Sequence, residues 1–262
     1  GQSFETTYEM FQGKDPRFLA SIYVPGSSLL GSTMQFQRGL ILKDGSKYYA
    51  QSAPGPSYLL ETYIDPETQR KDTIFGKDGG TYTGDASKTG FNIRKFVNEN
   101  LKTEAQWDFG KTETSFPIFR LAEVYLNLAE AAVEMGKYQT EAFEAIKKIR
   151  DRAGVVTPFA VVDVEKVRHE RQVELAFEGH RFWDMKRWRI AHLPVDQGGL
   201  NGFRGAGLHP FFDLRIRKYV FEVANDLPKR QRVFTEKNYY TKFSGNDMNS
   251  NPSLIQNPEF LN

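Results

Sequence analysis

The sequence predicts a mainly α-helical protein with long ordered loops and a few short strands. Residues 116–192 carry apolar side chains at helical spacing, whereas residues 1–115 and 193–262 are rich in glycine, proline and other turn-forming residues. A chain of 262 residues is long enough for one large domain or two small ones. We therefore expect a loop-rich candidate ligand segment at 1–115, a helical core at 116–192 and a loop-rich tail at 193–262.

The first segment contains short apolar runs that are separated by turn signals. Asp44-Gly45 lies between an apolar run at 39–43 and a tyrosine-containing run at 46–49, which is the spacing of a β-hairpin. Residues 1–115 are thus expected to form short strands joined by ordered loops.

Two helical stripes follow, and they predict a helical hairpin. The first stripe ends at Gly136 and the second ends at Gly154, a residue that commonly closes helices. The stripes consist of Ile118, Leu121, Ala122, Tyr125, Leu128, Ala129 and Ala132, then Ala142, Ala145, Ile146 and Ile149. The stretch EMGKYQTEAFEAIKKIR resembles a tetratricopeptide helix turn, and this resemblance implies a neighbour that covers an otherwise exposed stripe.

The most informative stretch is HERQVELAFEGHRFWDMKRW, from His169 to Trp188, because it mixes many charges with many aromatic rings. A helix that buries charge beside aromatic rings must pair that charge. We predict one internal helix that begins after an N-cap at Asp163 and ends at Pro194, with a close backbone approach at Gly179. Its ion-pair residues are Glu170, Arg171, Glu174, Glu178, His180, Arg181 and Asp184.

Spacing places Glu170, Glu174, Glu178 and Arg181 on one face of that helix. An acid/base or metal cluster at Glu174, Glu178, His180 and Asp184 is the functional alternative to a salt-bridge lattice. The lattice is favoured because no second histidine has the spacing of a metal ligand.

Composition argues against several classes of function. The net charge is +2, from 35 basic and 33 acidic residues, so nothing favours a nucleic-acid partner. The chain has no cysteine, which excludes disulfides and thiolate catalysis, and no apolar run approaches a membrane span of roughly 18 residues. The four histidines are scattered, so we expect no metal, no cofactor and no enzymatic activity.

Five motifs, in order along the chain, resemble the C-terminal region of the SusD/RagB family of outer-membrane nutrient-binding lipoproteins. They are DPRF at 15–18, TGFNIRKF at 89–96, FPIFRLAEVYLNLAEA at 116–131, ERQVELAFEGHRFWDMKRW at 170–188 and LIQNPEF at 254–260. One departure follows Tyr240, where Thr241-Lys242-Phe243-Ser244 replaces the Phe-Pro-Ile-Pro segment that the family often carries.

The resemblance implies a SusD-like fold that captures an oligosaccharide at the cell surface for a SusC-like TonB-dependent outer-membrane barrel. Full members have a signal peptide, a lipid-anchoring cysteine and a helical N-terminal half, which this sequence lacks. We therefore expect the C-terminal portion of a longer, lipid-anchored outer-membrane protein, or a short relative. Two rival functions are a helical module that docks the barrel without binding sugar, and a glycoside hydrolase.

Sugar rings stack on aromatic side chains, so exposed rings beside polar groups are candidate ligand contacts. In the first segment these are Tyr48, Tyr49, Tyr58, Tyr63, Tyr82 and Trp107. Trp107 is the strongest candidate because Gln106 and Asp108 flank it. For each of these aromatic side chains, the alternative to a ligand contact is packing in the protein core. In the tail, residues 198–207 form a glycine-rich surface excursion, and Leu214 to Val223 is expected to be a strand with solvated arginines at 215 and 217.

Overall fold

A computed structural model describes five stretches of the chain, which are residues 1–49, 62–79, 87–100, 114–224 and 231–261. The chain divides into two compact units, the first formed by Gly1–Glu178 with Ala206–Leu227 and the second by Gly179–Gly205 with Pro228–Asn262. The α-helices in the described stretches are α1 (Pro16–Ser21), α2 (Leu121–Glu134), α3 (Gln139–Arg152), α4 (Val164–Glu174), α5 (His180–Arg187) and α6 (Gly245–Ser250). None of these helices has the length and apolar character needed to cross a bilayer.

The predicted helical hairpin is formed by α2 and α3 in the first unit. Gly136 and Gly154 follow the two helices with positive φ angles of 63° and 70°, which a glycine adopts without strain. Helix α4 packs against both helices and begins at Asp163, whose side chain accepts a hydrogen bond from the Lys166 amide. The helical core contains Leu126, Ala129, Ala132, Ala142, Ala145, Ile146, Ile149, Val162, Val167 and Leu175.

The prediction was wrong for part of α2. Ile118 lies before the helix and is 90% exposed, and Leu128 is 46% exposed. Leu126, which the predicted stripe did not include, is the leucine that is fully buried in the core. Since α2 is apolar on more than one side, its sequence period does not identify which side faces α3 and α4.

The single long helix expected between Asp163 and Pro194 is instead two helices. Helix α4 ends at Glu174 and α5 begins at His180, with Phe177 and Gly179 at φ angles of 65° and 82° between them. The close backbone approach expected at Gly179 is also wrong, because a Cβ at that position would meet no atom within 4 Å. Gly179 instead adopts a left-handed conformation as the N-cap of α5, four residues after the C-cap of α4 at Leu175.

The first unit also contains a five-stranded mixed sheet with the strand order β1-β11-β10-β5-β6. Strand β10 pairs antiparallel with β11 and parallel with β5. The strands of the described stretches are β1 (Ser3–Phe4), β2 (Ile22–Tyr23), β3 (Ser28–Leu29), β4 (Ser32–Thr33), β5 (Gly39–Ile41), β6 (Lys47–Tyr48), β7 (Thr62–Ile64), β8 (Lys71–Thr73), β9 (Asn92–Ile93), β10 (Gly207–Asp213) and β11 (Lys218–Ala224).

The β-hairpin predicted at Asp44-Gly45 is present, since β5 pairs with β6 around that turn. The strand predicted from Leu214 to Val223 is wrong in its first four residues, because residues 214–217 form the turn between β10 and β11. Arg217 does not project from a solvated face either, since its guanidinium donates to the buried Asp72 at 2.7 and 2.9 Å.

The second unit has its own small core. Met185 on α5 packs with Ala191 and Phe234, and all three are less than a tenth exposed. Helix α6 begins with a capping box, in which Ser244 and Asp247 exchange hydrogen bonds with each other's backbone amides.

Candidate functional site

Three glutamates form a buried row along α4 and the turn that follows it. Glu170, Glu174 and Glu178 are between 2% and 5% exposed. Glu178 stays in line with the other two because its amide donates to the Leu175 carbonyl, which continues the turn beyond the helix end. The prediction of buried and paired charge is confirmed for this carboxylate row.

Five cations surround the carboxylate row, and they come from four other parts of the chain. Arg120 Nη1 lies 2.7 Å from Glu174 Oε1, and Arg120 Nε lies 2.7 Å from Glu178 Oε2. The complete set is Arg17, Lys95, Arg120, Arg150 and Arg152. Three of these lie in the motifs DPRF, TGFNIRKF and FPIFRLAEVYLNLAEA, so distant motifs converge in one charge network.

The charge network consists of fixed ion pairs between α4 and the surrounding segments. Each carboxylate accepts charge-assisted hydrogen bonds from at least two cations, so the row is neutralised by fixed partners. Across the described stretches, no group of three or more histidine and acidic side chains is arranged to hold a metal ion. The arrangement therefore fastens α1, α2, α3 and α4 to one another.

Glu178 makes the stability that the charge network provides sensitive to acid. Burial alone would raise the pKa of its carboxyl, but hydrogen bonds and charge from Arg120 and Lys95 outweigh burial and hold the pKa below its usual 4.5. A carboxylate with a lowered folded-state pKa stabilises the fold above its unfolded pKa, and this contribution disappears as the pH falls through the folded value.

We therefore expect the Tm of the parent to fall as the pH drops below 4.5, and Glu178→Gln to show a smaller fall from a lower starting Tm. Thermal melts followed by circular dichroism between pH 7 and pH 3 measure both effects. Parallel pH profiles for parent and variant would show that Glu178 does not contribute to this sensitivity.

The remaining charged residues of the motif lie outside the carboxylate row. Asp184 is 4% exposed and accepts a hydrogen bond from Arg187 at 2.9 Å on the same helix. Arg181 was expected to share a face with the three glutamates, but it lies beyond the helix break with its guanidinium 5.8 Å from the Trp188 ring. His180 begins α5 and is partly exposed, and Trp183 is 64% exposed. Helix α4 buries one face, with Val167, Glu170, Arg171 and Glu174, and exposes Glu165, His169 and Gln172, so the expected internal helix is wrong for both α4 and α5.

Of the candidate ligand tyrosines that the structure describes, Tyr48 lies in β6, Tyr49 directly follows it and Tyr63 lies in β7. Tyr48 and Tyr63 are 5.4 Å apart between ring centroids, and both are half-buried against the cluster of Leu40, Ile74, Phe75 and Leu214. Tyr49 meets the edge of Phe211. Trp107, Tyr58 and Tyr82 lie outside the described residues, so their assignment as ligand contacts remains a prediction.

A cleft of about 270 Å³ opens beside residues 33–37, and we call it the Thr7–Tyr219 cleft. Met34 and Phe36 line it and are buried. Its polar lining consists of Thr7, Thr33, Gln35, Gln37, Thr73 and Tyr219. No charged residue occurs among the described residues that line this cleft.

Backbone hydrogen bonds hold the wall of the cleft in place. The Gly76 amide donates to the Gln37 carbonyl at 2.9 Å, and the Asp78 amide donates to the Gln35 carbonyl at the same distance. The Gln37 side-chain amide donates to the carbonyls of Thr73 and Ile74 at 2.8 and 3.0 Å. A Cβ on Gly76 would lie 2.1 Å from the Gln35 carbonyl oxygen, so this close approach requires glycine.

The lining offers neutral hydrogen-bond donors and acceptors in a fixed arrangement. Threonine hydroxyls and glutamine amides both donate and accept hydrogen bonds. Burial raises the pKa of the Tyr219 phenol, so this group keeps its proton and remains a donor. Such a cleft suits an uncharged ligand that carries hydroxyl groups.

Sequence reasoning missed this cleft because four segments that are distant in sequence form it, around residues 7, 33–37, 73–76 and 219. A signal was nevertheless present in Thr33-Met34-Gln35-Phe36-Gln37, where polar and apolar residues alternate with the period of a half-buried extended segment. Burial follows that alternation, with Met34 and Phe36 inside and Gln35 exposed.

Comparisons with known proteins were made on the whole chain. A family model described as the SusD family matches residues 1–260. SusD-like protein P25 of Formosa agariphila is 39% identical over 80 residues, which are 28% of this chain and 15% of that protein. SusD-like protein P2 of the same organism is 31% identical over 101 residues, which are 34% of this chain and 20% of that protein.

A crystal structure of a SusD-like protein from Bacteroides fragilis superposes on 98% of this chain with a TM-score of 0.59 and 27% sequence identity. The superposed region is 41% of that protein's chain. The chain thus spans less than half of the length of the solved structure and a fifth or less of each curated relative that it matches.

Proposed function

Because the chain belongs to the SusD family, as its five motifs predicted, we propose that it captures an oligosaccharide at a bacterial cell surface without altering it chemically. The proposal extends to delivery of the ligand to a SusC-like TonB-dependent barrel, and to a lipid anchor in the outer membrane for the full-length protein. Both belong to what the family resemblance implies. The observation that carries the binding function is the neutral, hydroxyl- and amide-lined Thr7–Tyr219 cleft.

The chemistry of the cleft supports a neutral sugar more than a phosphate or a peptide. A phosphate site needs arginine, lysine or clustered backbone amides, and the described lining has no charged side chain. Sugar hydroxyls exchange bonds to water for bonds to protein with a small net gain, so affinity is expected in the micromolar to millimolar range. A stacked ring would add to this affinity, and Trp107 remains the proposed platform.

Gln35 gives the clearest test of the cleft. Its side chain is exposed and lines the cavity, while its backbone makes the structural hydrogen bonds. Gln35→Ala should therefore leave the melt unchanged and weaken glycan binding about five- to thirtyfold, the loss that follows removal of one or two ligand hydrogen bonds of about 1 kcal/mol each. Calorimetric titration against a panel of neutral plant and host oligosaccharides measures the change.

The matched control is Gln172→Ala, which removes an exposed glutamine on α4 and should bind glycan like the parent. Equal loss in both variants, or none in Gln35→Ala, would remove the cleft from the binding site. Release of shorter sugars on prolonged incubation with the parent would instead support the hydrolase alternative.

A further inference from the structure

The second unit contains a cavity of its own, with a volume of about 220 Å³. The described residues that line it are Arg189, His192, Glu236, Tyr239, Tyr240 and Glu259, and all six belong to the second unit. We call this cavity the Arg189–Glu259 pocket. None of these six residues lines the Thr7–Tyr219 cleft, so the pocket is built independently of the cleft.

Hydrogen bonds and ring contacts fix four of the lining side chains. The Tyr239 hydroxyl lies 2.8 Å from His192 Nδ1 and accepts a hydrogen bond from the His192 backbone amide at 3.2 Å. The Arg189 guanidinium lies 4.5 Å from the centre of the Tyr239 ring and donates to the Tyr240 hydroxyl at 2.7 Å. Because these side chains are already held in place, a ligand that contacts them costs the protein little conformational entropy.

Arg189 has a backbone conformation that favours glycine. Its φ angle is 59°, and it directly follows the C-cap of α5 at Trp188. The same position after α2 and after α3 is occupied by Gly136 and Gly154, with φ angles of 63° and 70°. Glycine adopts this left-handed conformation freely, whereas other residues are strained there. An arginine at position 189 thus strains the helix end, and this strain points to a role for its side chain in the pocket.

Two carboxylates determine which ligands suit the pocket. Glu236 and Glu259 are both exposed, and the Glu236 carboxylate lies 3.8 Å from His192 Nε2. Within the described part of the chain, the Glu259 carboxylate has no hydrogen-bond or ion-pair partner. Ionised carboxylates only accept hydrogen bonds, so the ligand has to donate them. Two carboxylates against the single guanidinium of Arg189 also disfavour an anionic ligand.

A sugar unit supplies the groups that this lining requires. Sugar hydroxyls donate hydrogen bonds to carboxylates and accept them from a guanidinium, and the C–H face of the sugar ring packs on an aromatic side chain. Tyr240 is 39% exposed, so part of its ring is open to such a contact. A metal ion does not fit, since the described residues include no group of three or more metal-ligating side chains.

We propose that the Arg189–Glu259 pocket is a second sugar subsite, which binds a neutral or amino-substituted sugar unit and excludes a uronic acid. The two accepted kinds of sugar share hydrogen-bond donors and lack a negative charge. The proposal rests on the glycan-binding function proposed above, and it adds a site in the second unit with a selectivity of its own.

The first test is a nuclear magnetic resonance titration that follows the backbone amide signals of residues 236–240. The probes are glucose, galactose and mannose, each with its 2-amino and its uronic acid form. At least one neutral hexose and its 2-amino form should shift these signals, and the matching uronic acid should bind about tenfold more weakly. No shift with any probe, or a uronic acid that binds as tightly as its neutral form, would overturn the proposal.

The second test separates sugar binding from stability. Arg189→Gly should have a Tm equal to or above that of the parent, because glycine relieves the left-handed strain, and should bind the hexose about tenfold more weakly. The control is Arg204→Gly, which removes an exposed arginine of the same unit and should bind like the parent. Unchanged hexose binding in Arg189→Gly would overturn the proposal, and so would a lower Tm, which would assign Arg189 to the stability of the turn.

Glu259→Gln tests the selectivity without a risk to the fold, because this side chain is exposed. Removing the negative charge should bring the affinity for the uronic acid to within about threefold of the affinity for the neutral hexose. If Glu259→Gln discriminates between the two sugars as strongly as the parent does, the proposed selectivity is wrong.

Gln35→Ala distinguishes a failure of this subsite from a failure of the proposed function. The variant should lose glycan affinity at the Thr7–Tyr219 cleft and keep the hexose-induced shifts of residues 236–240. Shifts that disappear in Gln35→Ala would overturn the second subsite, because they would then report binding at the cleft. Glycan binding that depends on Gln35, together with no shift at residues 236–240, would overturn the subsite and leave the proposed function intact.

Discussion

Glu174→Ala is expected to destabilise the protein by about 3 to 5 kcal/mol, the cost of leaving buried charges without their partner. Glu174 is 3% exposed and accepts hydrogen bonds from the guanidinium groups of Arg17, Arg120 and Arg152. Arg17 is itself well buried and stays charged after the substitution, so it would lose one of the carboxylates that balance its charge. Urea unfolding at pH 7 measures the change in the free energy of unfolding.

The control for this prediction is Glu134→Ala, which removes an exposed glutamate from the end of α2 and should change stability by less than about 0.5 kcal/mol. Glu174→Gln separates charge from shape, since it keeps the volume and removes the negative charge. We expect Glu174→Gln to lower the free energy of unfolding by nearly as much as Glu174→Ala does. If Glu174→Ala unfolds at the same urea concentration as the parent, the network does not hold the fold.

Gly76→Ala is expected to cost about 2 kcal/mol or more through overpacking, and also to weaken glycan binding in the Thr7–Tyr219 cleft. The new Cβ would lie 2.1 Å from the carbonyl oxygen and 2.5 Å from the carbonyl carbon of Gln35. Both neighbours belong to backbone, so relief requires the 33–37 segment to move. Thermal melts and calorimetric titration with the same glycan panel record the two effects.

Gly205→Ala is the matched control, because a Cβ at that position meets no atom within 4 Å. We expect its melt and its glycan binding to equal those of the parent. If Gly76→Ala has the same Tm as the parent, the two segments can move apart at little cost in free energy. The wall of the cleft would then be adaptable.

Helix α3 shows what the sequence can predict well. Its four buried positions, Ala142, Ala145, Ile146 and Ile149, were predicted correctly because every other residue of the helix except Phe143 is polar, so the apolar residues mark a single face. The SusD-like, mainly helical fold with tetratricopeptide-like hairpins was predicted with it. Helix α2 was harder for the opposite reason, since it has apolar residues on two faces.

The carboxylate row was predicted from helical spacing, but its partners were not. Arg17 meets Glu170 across 153 residues of sequence, and Lys95 meets Glu178 across 83. Local periodicity carries no information about such pairings, which depend on how the helices pack. The break after Glu174 has the same origin, because a positive φ at Phe177 is unfavourable locally and persists through its surroundings.

The charge network has a consequence for how the chain folds. Its carboxylates are satisfied only when α1, the segment around Lys95, α2 and α3 have all arrived beside α4. Closing a loop of more than 150 residues costs conformational entropy. The ion pairs stabilise the fold fully only when the last cation is in place. Partly assembled states therefore contain unpaired charge in an apolar setting, and this penalty makes the first unit favour complete assembly over stable intermediates.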